Sequence, residues 1–224
     1  MSFSKSLKER ANEIWEAAYQ HPFVQELGKG TLPKEKFQFY LLQDYEYLKQ
    51  YAKAFAMGAV RAKDEELIRE FTKTQYYLLE GEMDLHREYM ASFGISEEEM
   101  DQVKSSLYNR TYTANMQAIG QTGDLLDLLM TLFPCAWTYG DFATRLKEDY
   151  PEEYENNFYR SWIDTYAGED FINSYQWFYD AIDEMVAEKT EEEKEELLSI
   201  FISSVEFEYL FWDMAYKMEM GYKL

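Results

Sequence analysis

The sequence predicts an all-α protein, and three observations carry that prediction. Long stretches place apolar residues at three- and four-residue spacing, no stretch alternates polar and apolar residues as a half-buried strand does, and 224 residues include only four prolines and ten glycines. Phe3 to Tyr19 reads as a first amphipathic helix through Leu7, Ala11, Ile14, Trp15 and Ala18, and His21-Pro22-Phe23 interrupts it. After a break from Gly28 to Pro33, Lys34 to about Ala62 has helical period, and Asp64 to Ser92 gives a third long helix. Gly94 suits a helix-ending glycine, and Ser96-Glu-Glu-Glu99 has the capping-box pattern, in which the serine and glutamate oxygens each take a backbone N–H. Thr111 to about Gly120 is a short helical piece and Asp124 to Asp149 a longer one. Pro151 fits the first turn of a helix toward Tyr166, which Gly168 ends. Asp170 to Lys189 follows, then a second capping box at Thr190-Glu-Glu-Glu193 and a last helix to the C-terminus.

A hydrophobic content of 46%, with 20 Tyr, 15 Phe and 5 Trp, supplies a large core and excludes a disordered chain. No Gly-, Ser- or Pro-rich linker and no internal repeat divides it, so one domain over 1–224 is expected. The net charge of −21 repels nucleic acid and anionic membrane, and neither is expected as a partner. The acid runs Glu191–Glu193 and Glu195–Glu196 read as solvated helix faces and carry no site. The first ten residues lack the apolar core of a signal peptide, no segment approaches a membrane span, and a single cysteine cannot form an internal disulfide; a cytoplasmic location is expected.

Three apolar stripes each contain one group that does not belong in oil. Leu128, Leu132, Cys135, Tyr139 and Phe142 share a helical face; Asp44 interrupts Phe37, Tyr40, Leu41, Leu48, Tyr51 and Phe55; Glu208 interrupts Phe201, Val205, Trp212 and Ala215. Burying an unpaired carboxylate is costly, so two acids on apolar stripes suggest a cavity lined to bind something polar. For Cys135 the bland alternative is an inert core thiol. Pro134 removes a backbone donor just before it, so the helix is expected to bend there, and such a bend would expose the thiol to a pocket. Tyr47, Tyr112, Tyr139 and Tyr166 are each explicable as packing, although Tyr139 lies one turn from Cys135 on the same face. Phe211 follows Glu208 at i+3 and offers a ring beside the acid.

Metal chemistry is poorly supplied. Di-iron helical bundles use Glu-x-x-His at i, i+3 on two helices, whereas Glu82 and His86 stand at i, i+4 and occur once. One Cys and two His make a zinc site scarce in ligands, and His21 beside Pro22 reads as a helix cap more readily than as a haem ligand. No metal and no cofactor are expected.

These residues resemble the TenA family, also called thiaminase II or aminopyrimidine aminohydrolase, in its cysteine-containing class. The resemblance spans nearly the whole chain through His21-Pro-Phe-Val-Gln25, Gly30-Thr-Leu-Pro33, Tyr40 with Gln43-Asp-Tyr-x-Tyr-Leu48, Glu82-x-x-x-His86, Tyr112-Thr, Leu132-x-Pro-Cys-x-Trp-x-Tyr139, Trp162-Ile-x-Thr-Tyr166 and Glu208-Tyr-x-Phe-Trp-x-Met-Ala-Tyr216. It implies a haem-oxygenase-like helical bundle without haem, commonly a homotetramer, acting on a small-molecule aminopyrimidine. It puts the nucleophile on Cys135, the acid/base on Glu208, the ring-orienting aspartate on Asp44, and substrate-binding rings on Tyr47, Tyr112, Tyr139, Tyr166 and Phe211. Glu206 is a competing acid two residues before Glu208, but it leaves the apolar stripe. A non-catalytic binding or regulatory protein, or a metal-dependent oxidase on the same fold, are the alternatives.

Overall fold

The computed structural model describes residues 2–221, and among them every regular element is helical. α1 (Phe3–Arg10), α2 (Asn12–Tyr19) and α3 (Pro22–Gly28) lead to the long α4 (Lys34–Arg61). α5 (Glu65–Tyr77) passes through a π turn (Leu78–Glu82) into α6 (Met83–Ser92), and α7 (Glu97–Asp101) precedes α8 (Leu107–Thr122). α9 (Leu125–Asp149), α10 (Pro151–Tyr154), α11 (Arg160–Tyr166), α12 (Glu169–Ser174), α13 (Trp177–Val186) and α14 (Glu191–Lys217) complete the order.

The all-α expectation holds, and both capping boxes form. Ser96 exchanges bonds with Glu99, and Thr190 N–H donates to Glu193 Oε2 at 2.7 Å while Glu193 N–H donates to Thr190 Oγ at 3.3 Å. Several boundaries differ, each for a local reason. The first helix breaks at Ala11 (φ −94°, ψ 9°). α8 starts at Leu107 instead of Thr111 because Ser106 caps it, its Oγ accepting from Asn109 N–H at 3.0 Å. The helix begun by Pro151 stops at Tyr154, and the turn that follows is pinned by Asn157. Its amide donates to the carbonyls of Leu27 (3.0 Å) and Gly28 (2.8 Å), and its oxygen accepts from Tyr159 N–H (2.8 Å). The stretch 170–189 divides into α12 and α13 around Tyr175. α9 stays helical through Pro134. Residues 222–224, which the sequence put in the last helix, lie outside the described residues.

The chain falls into two compact units. One comprises the residues through Leu32 together with Leu129–Asp213, the other Pro33–Leu128 and the stretch from Met214 onward. In the first, α9 is apolar on more than one face, as a central helix must be. Phe133 and Trp137 stack at 4.8 Å and meet Trp15 of α2 (5.2 Å from Trp137), Phe178 of α13 (5.0 Å from Phe133) and Phe201 of α14. The buried Trp15 N–H is satisfied by Asp141 Oδ2 at 2.8 Å.

In the second unit α4 is the spine. The α5–π–α6 segment runs antiparallel to it, with Phe55 on Phe71, Asp44 on His86 and Phe37 on Tyr89 marking successive levels. A Cβ at Gly58 would stand 2.2 Å from the Phe71 ring, so the absence of a side chain there lets α5 lie against α4. α8 runs parallel to α4, through Asn109 on Gln43, Tyr112 on Tyr47 and Gln117 on the Gln50 carbonyl.

Candidate active site

All three sequence-defined stripes are buried along their whole length, polar members included. Glu208 is 2% exposed and Asp44 3%, while Glu206 is exposed, which separates the two candidate acids of α14. Cys135 is 9% exposed.

In the first unit two contacts fix how α9 and α14 lie. Thr131 and Ser204 share a hydroxyl–hydroxyl bond of 3.0 Å, and the rings of Tyr139 and Trp212 meet at 5.1 Å. Both pairs are separated by 73 residues, so the helices run parallel and in register between them. The same offset joins Cys135 to Glu208. Each lies one turn beyond the hydroxyl pair and one turn before the ring pair, on the stripe that makes those contacts. The thiol and the carboxylate therefore stand at one level of two adjacent helices. Tyr139 follows one turn on, its ring 4.9 Å from Tyr166 of α11 and 5.7 Å from Trp162. Phe211 is buried three residues beyond Glu208.

In the second unit Asp44 is held from two sides. Its Oδ2 accepts from the Tyr40 hydroxyl at 3.2 Å and lies 2.7 Å from Nε2 of His86, a fully buried ring. The other ring nitrogen, Nδ1, lies 2.8 Å from the backbone carbonyl oxygen of Glu82, the last residue of the π turn. Burial works against a charged imidazole. The hydrogen bond and charge of Asp44, with the charge and backbone carbonyl of Glu82, outweigh it and hold the His86 pKa above its ordinary value. Gln43, the neighbour of Asp44, clamps the start of α8: its oxygen accepts from Ser106 N–H at 2.8 Å, and its amide donates to the Lys104 carbonyl at 3.1 Å. That clamp sets Tyr112 against Tyr47, ring centroids 5.1 Å apart.

The predicted site residues thus form two sets. Cys135, Glu208, Tyr139, Tyr166 and Phe211 belong to the first unit, and Asp44, Tyr47 and Tyr112 to the second. The sequence reading missed the pairing of His86 with Asp44. Its partner lies 42 residues away, so no local spacing announces the pair. His21 is the cap it was read as, its Nδ1 accepting from Phe23 N–H at 3.1 Å while Nε2 lies 3.5 Å from Asp213. Both histidine rings are therefore engaged within the protein, and neither fits an axial ligand of haem. Among the described residues no three His, Cys, Asp or Glu side chains gather as a metal site requires, and no helix is long and apolar enough to cross a membrane.

Solved structures define the class. A TenA homologue from P. horikoshii OT3 superposes with a TM-score of 0.86 at 27% identity, over 97% of this chain and 99% of its own. A domain with a heme oxygenase-like fold from Shewanella denitrificans OS217 gives 0.75 at 17% identity, over 96% and 92% of the two chains. The protein is an all-helical member of the haem-oxygenase-like fold, with one buried thiol and two buried carboxylates on its helical stripes. More particularly, residues 8–218 match the TENA/THI-4/PQQC family, and the chain belongs to it. The aminopyrimidine aminohydrolase of Halalkalibacterium halodurans is 41% identical, with 98% of each chain covered. That of Helicobacter pylori is 38% identical, over 97% of this chain and 100% of its own.

Proposed function

We propose that the protein hydrolyses 4-amino-2-methylpyrimidines at the bond between the 5-methylene carbon and its substituent, releasing 4-amino-5-hydroxymethyl-2-methylpyrimidine for thiamin salvage or degradation. Two full-length relatives carry the name aminopyrimidine aminohydrolase, and the observation that carries the reading is the shared level of Cys135 and Glu208.

A pyrimidine methylene offers a poor route to direct displacement. Addition of the Cys135 thiolate to the ring carbon beside the methylene-bearing carbon breaks aromaticity, and the released electron pair then expels the substituent from the methylene. Glu208 protonates the ring nitrogen next to the attacked carbon as the bond forms, which keeps negative charge off the ring. Water adds to the exocyclic carbon and its proton goes to the departed leaving group or to solvent, the ring-nitrogen proton returns to Glu208, and the thiolate leaves. The sum is substitution of the leaving group by hydroxide, with the enzyme unchanged. Asp44 accepts the ring's amino group and orients it, and Tyr47, Tyr112, Tyr139, Tyr166 and Phe211 pack its faces and edges.

The reading takes 1–224 as one catalytic domain. A homotetramer and a cytoplasmic setting belong to the same reading. Val60, Ile68, Tyr76 and Leu79 are exposed apolar side chains that an assembly would cover.

No group in the site is assigned to a thiazole or a phosphate, so leaving groups differ in rate through their own chemistry. Assaying thiamin, thiamin diphosphate and 4-amino-5-aminomethyl-2-methylpyrimidine side by side tests this. Thiamin and the aminomethyl compound should yield the same hydroxymethyl product. A strong preference for the diphosphate would mean an anion site exists and the substrate assignment is wrong.

A further inference from the structure

We infer that His86 is a positioning residue that fixes Asp44 as an acceptor-only carboxylate, and that this pair selects 4-aminopyrimidines against their 4-oxo counterparts. The ligand half of the inference rests on the proposed aminopyrimidine chemistry, and the His86 half on the ring's hydrogen-bond geometry and the acids that face it.

A neutral imidazole has one donor and one acceptor nitrogen. Nδ1 of His86 faces the Glu82 backbone carbonyl at 2.8 Å, and a carbonyl oxygen only accepts, so Nδ1 carries a proton. Were the ring neutral, Nε2 would be bare, and Asp44 would have to donate to it from Oδ2. That same oxygen accepts from the Tyr40 hydroxyl at 3.2 Å. A carboxylate oxygen receiving two donors meets both contacts with one state: imidazolium on His86, charge on Asp44. The groups facing the ring are Asp44 and, through it, Tyr40 from α4, and Glu82 from the π turn; both acids favour the imidazolium. The π turn, a device frequent at functional positions, supplies the carbonyl that fixes the ring.

These bonds fill Oδ2 and leave Oδ1 to a ligand. Oδ1 of an ionised Asp44 accepts a 4-amino N–H. A 4-oxo group sets oxygen against oxygen in a buried place, the mismatch that lets polar sites reject analogues strongly.

The chain has only two histidines, so ¹⁵N-histidine NMR resolves His86 with a His86→Gln spectrum as the assignment. Protons on both His86 nitrogens at pH 7 are expected; a proton-free Nε2 overturns the inference, whatever the activity. Calorimetry with the 4-amino hydroxymethylpyrimidine and its 4-oxo counterpart provides the second arm. Wild type should prefer the amino compound by about 10³-fold or more, and His86→Gln, which can still donate to Asp44 but carries no charge, should narrow that preference about tenfold or more. A general loss of structure weakens both ligands together and leaves their ratio alone, so an unchanged ratio in the folded variant overturns the inference. If the variant does not fold, the wild-type spectrum decides. Wild type that binds neither compound sinks the aminopyrimidine reading and the selectivity with it, whereas hydrolysis by an enzyme with a neutral His86 sinks the inference alone.

Discussion

Replacing Gln43 by Leu should destabilise the protein far more than the near-equal volume suggests. The buried amide serves two backbone groups at the start of α8: Ser106 N–H donates to it at 2.8 Å, and the Lys104 carbonyl accepts from it at 3.1 Å. Asn109 keeps its 2.7 Å bond to the Gln43 backbone carbonyl and offers no substitute for either. The Ser106 N–H is buried, and stranding it costs about 1–3 kcal/mol, whereas Lys104 is exposed and its carbonyl can turn to water at little cost. For a chain of this length that corresponds to a fall in Tm of roughly 2–12 °C. Guanidinium unfolding followed by tryptophan fluorescence measures it, with Gln176→Leu as control. Gln176 has one exposed bond to the Ile172 carbonyl and should stay within about 0.5 kcal/mol of wild type. A Gln43→Leu protein within the same margin would refute the clamp, and with it the account of how Tyr112 is held against Tyr47.

Glu208→Gln should lower kcat by about 10²–10⁴-fold while leaving affinity for the hydroxymethyl product within a few-fold, and the exposed Glu206→Gln should be mild; steady-state kinetics on both variants would expose a reversed assignment. His86, whose pKa is raised in the folded protein above its ordinary 6.5, should contribute stability that is fully present below that value and lost as pH rises through the folded value. The unfolding free energy of wild type minus that of His86→Gln should therefore shrink on the alkaline side, and a difference that grows with pH would contradict the ion pair. Light scattering at low micromolar concentration should return about four times the 26.8 kDa chain mass; a monomer would remove the tetramer but not the chemistry.

The fold and the core were legible because helical period is a local property. Every residue of the Asp44, Cys135 and Glu208 stripes is buried, and the exposed Glu206 separates from Glu208 by facing alone. Local chemistry also gave both capping boxes and the His21 cap. What escaped depends on partners distant in the chain. The turn after α10 is held by Asn157 reaching back to Leu27 and Gly28, which no periodicity in 151–166 records. The π turn hides inside a stretch that reads as one continuous helix, and only its consequence, the aim of His86 at Asp44, makes it visible. The register of α9 against α14 is likewise a matter of two contacts between segments far apart in sequence.

The most direct test of the central claim is the Cys135→Ser variant, measured for turnover of the aminomethylpyrimidine and for calorimetric affinity toward the hydroxymethyl product. If the thiolate attacks the ring, hydrolysis should fall by several orders of magnitude while product affinity stays within a few-fold, because Asp44 and the surrounding rings are untouched. Near-normal turnover by the serine variant would contradict covalent catalysis at Cys135.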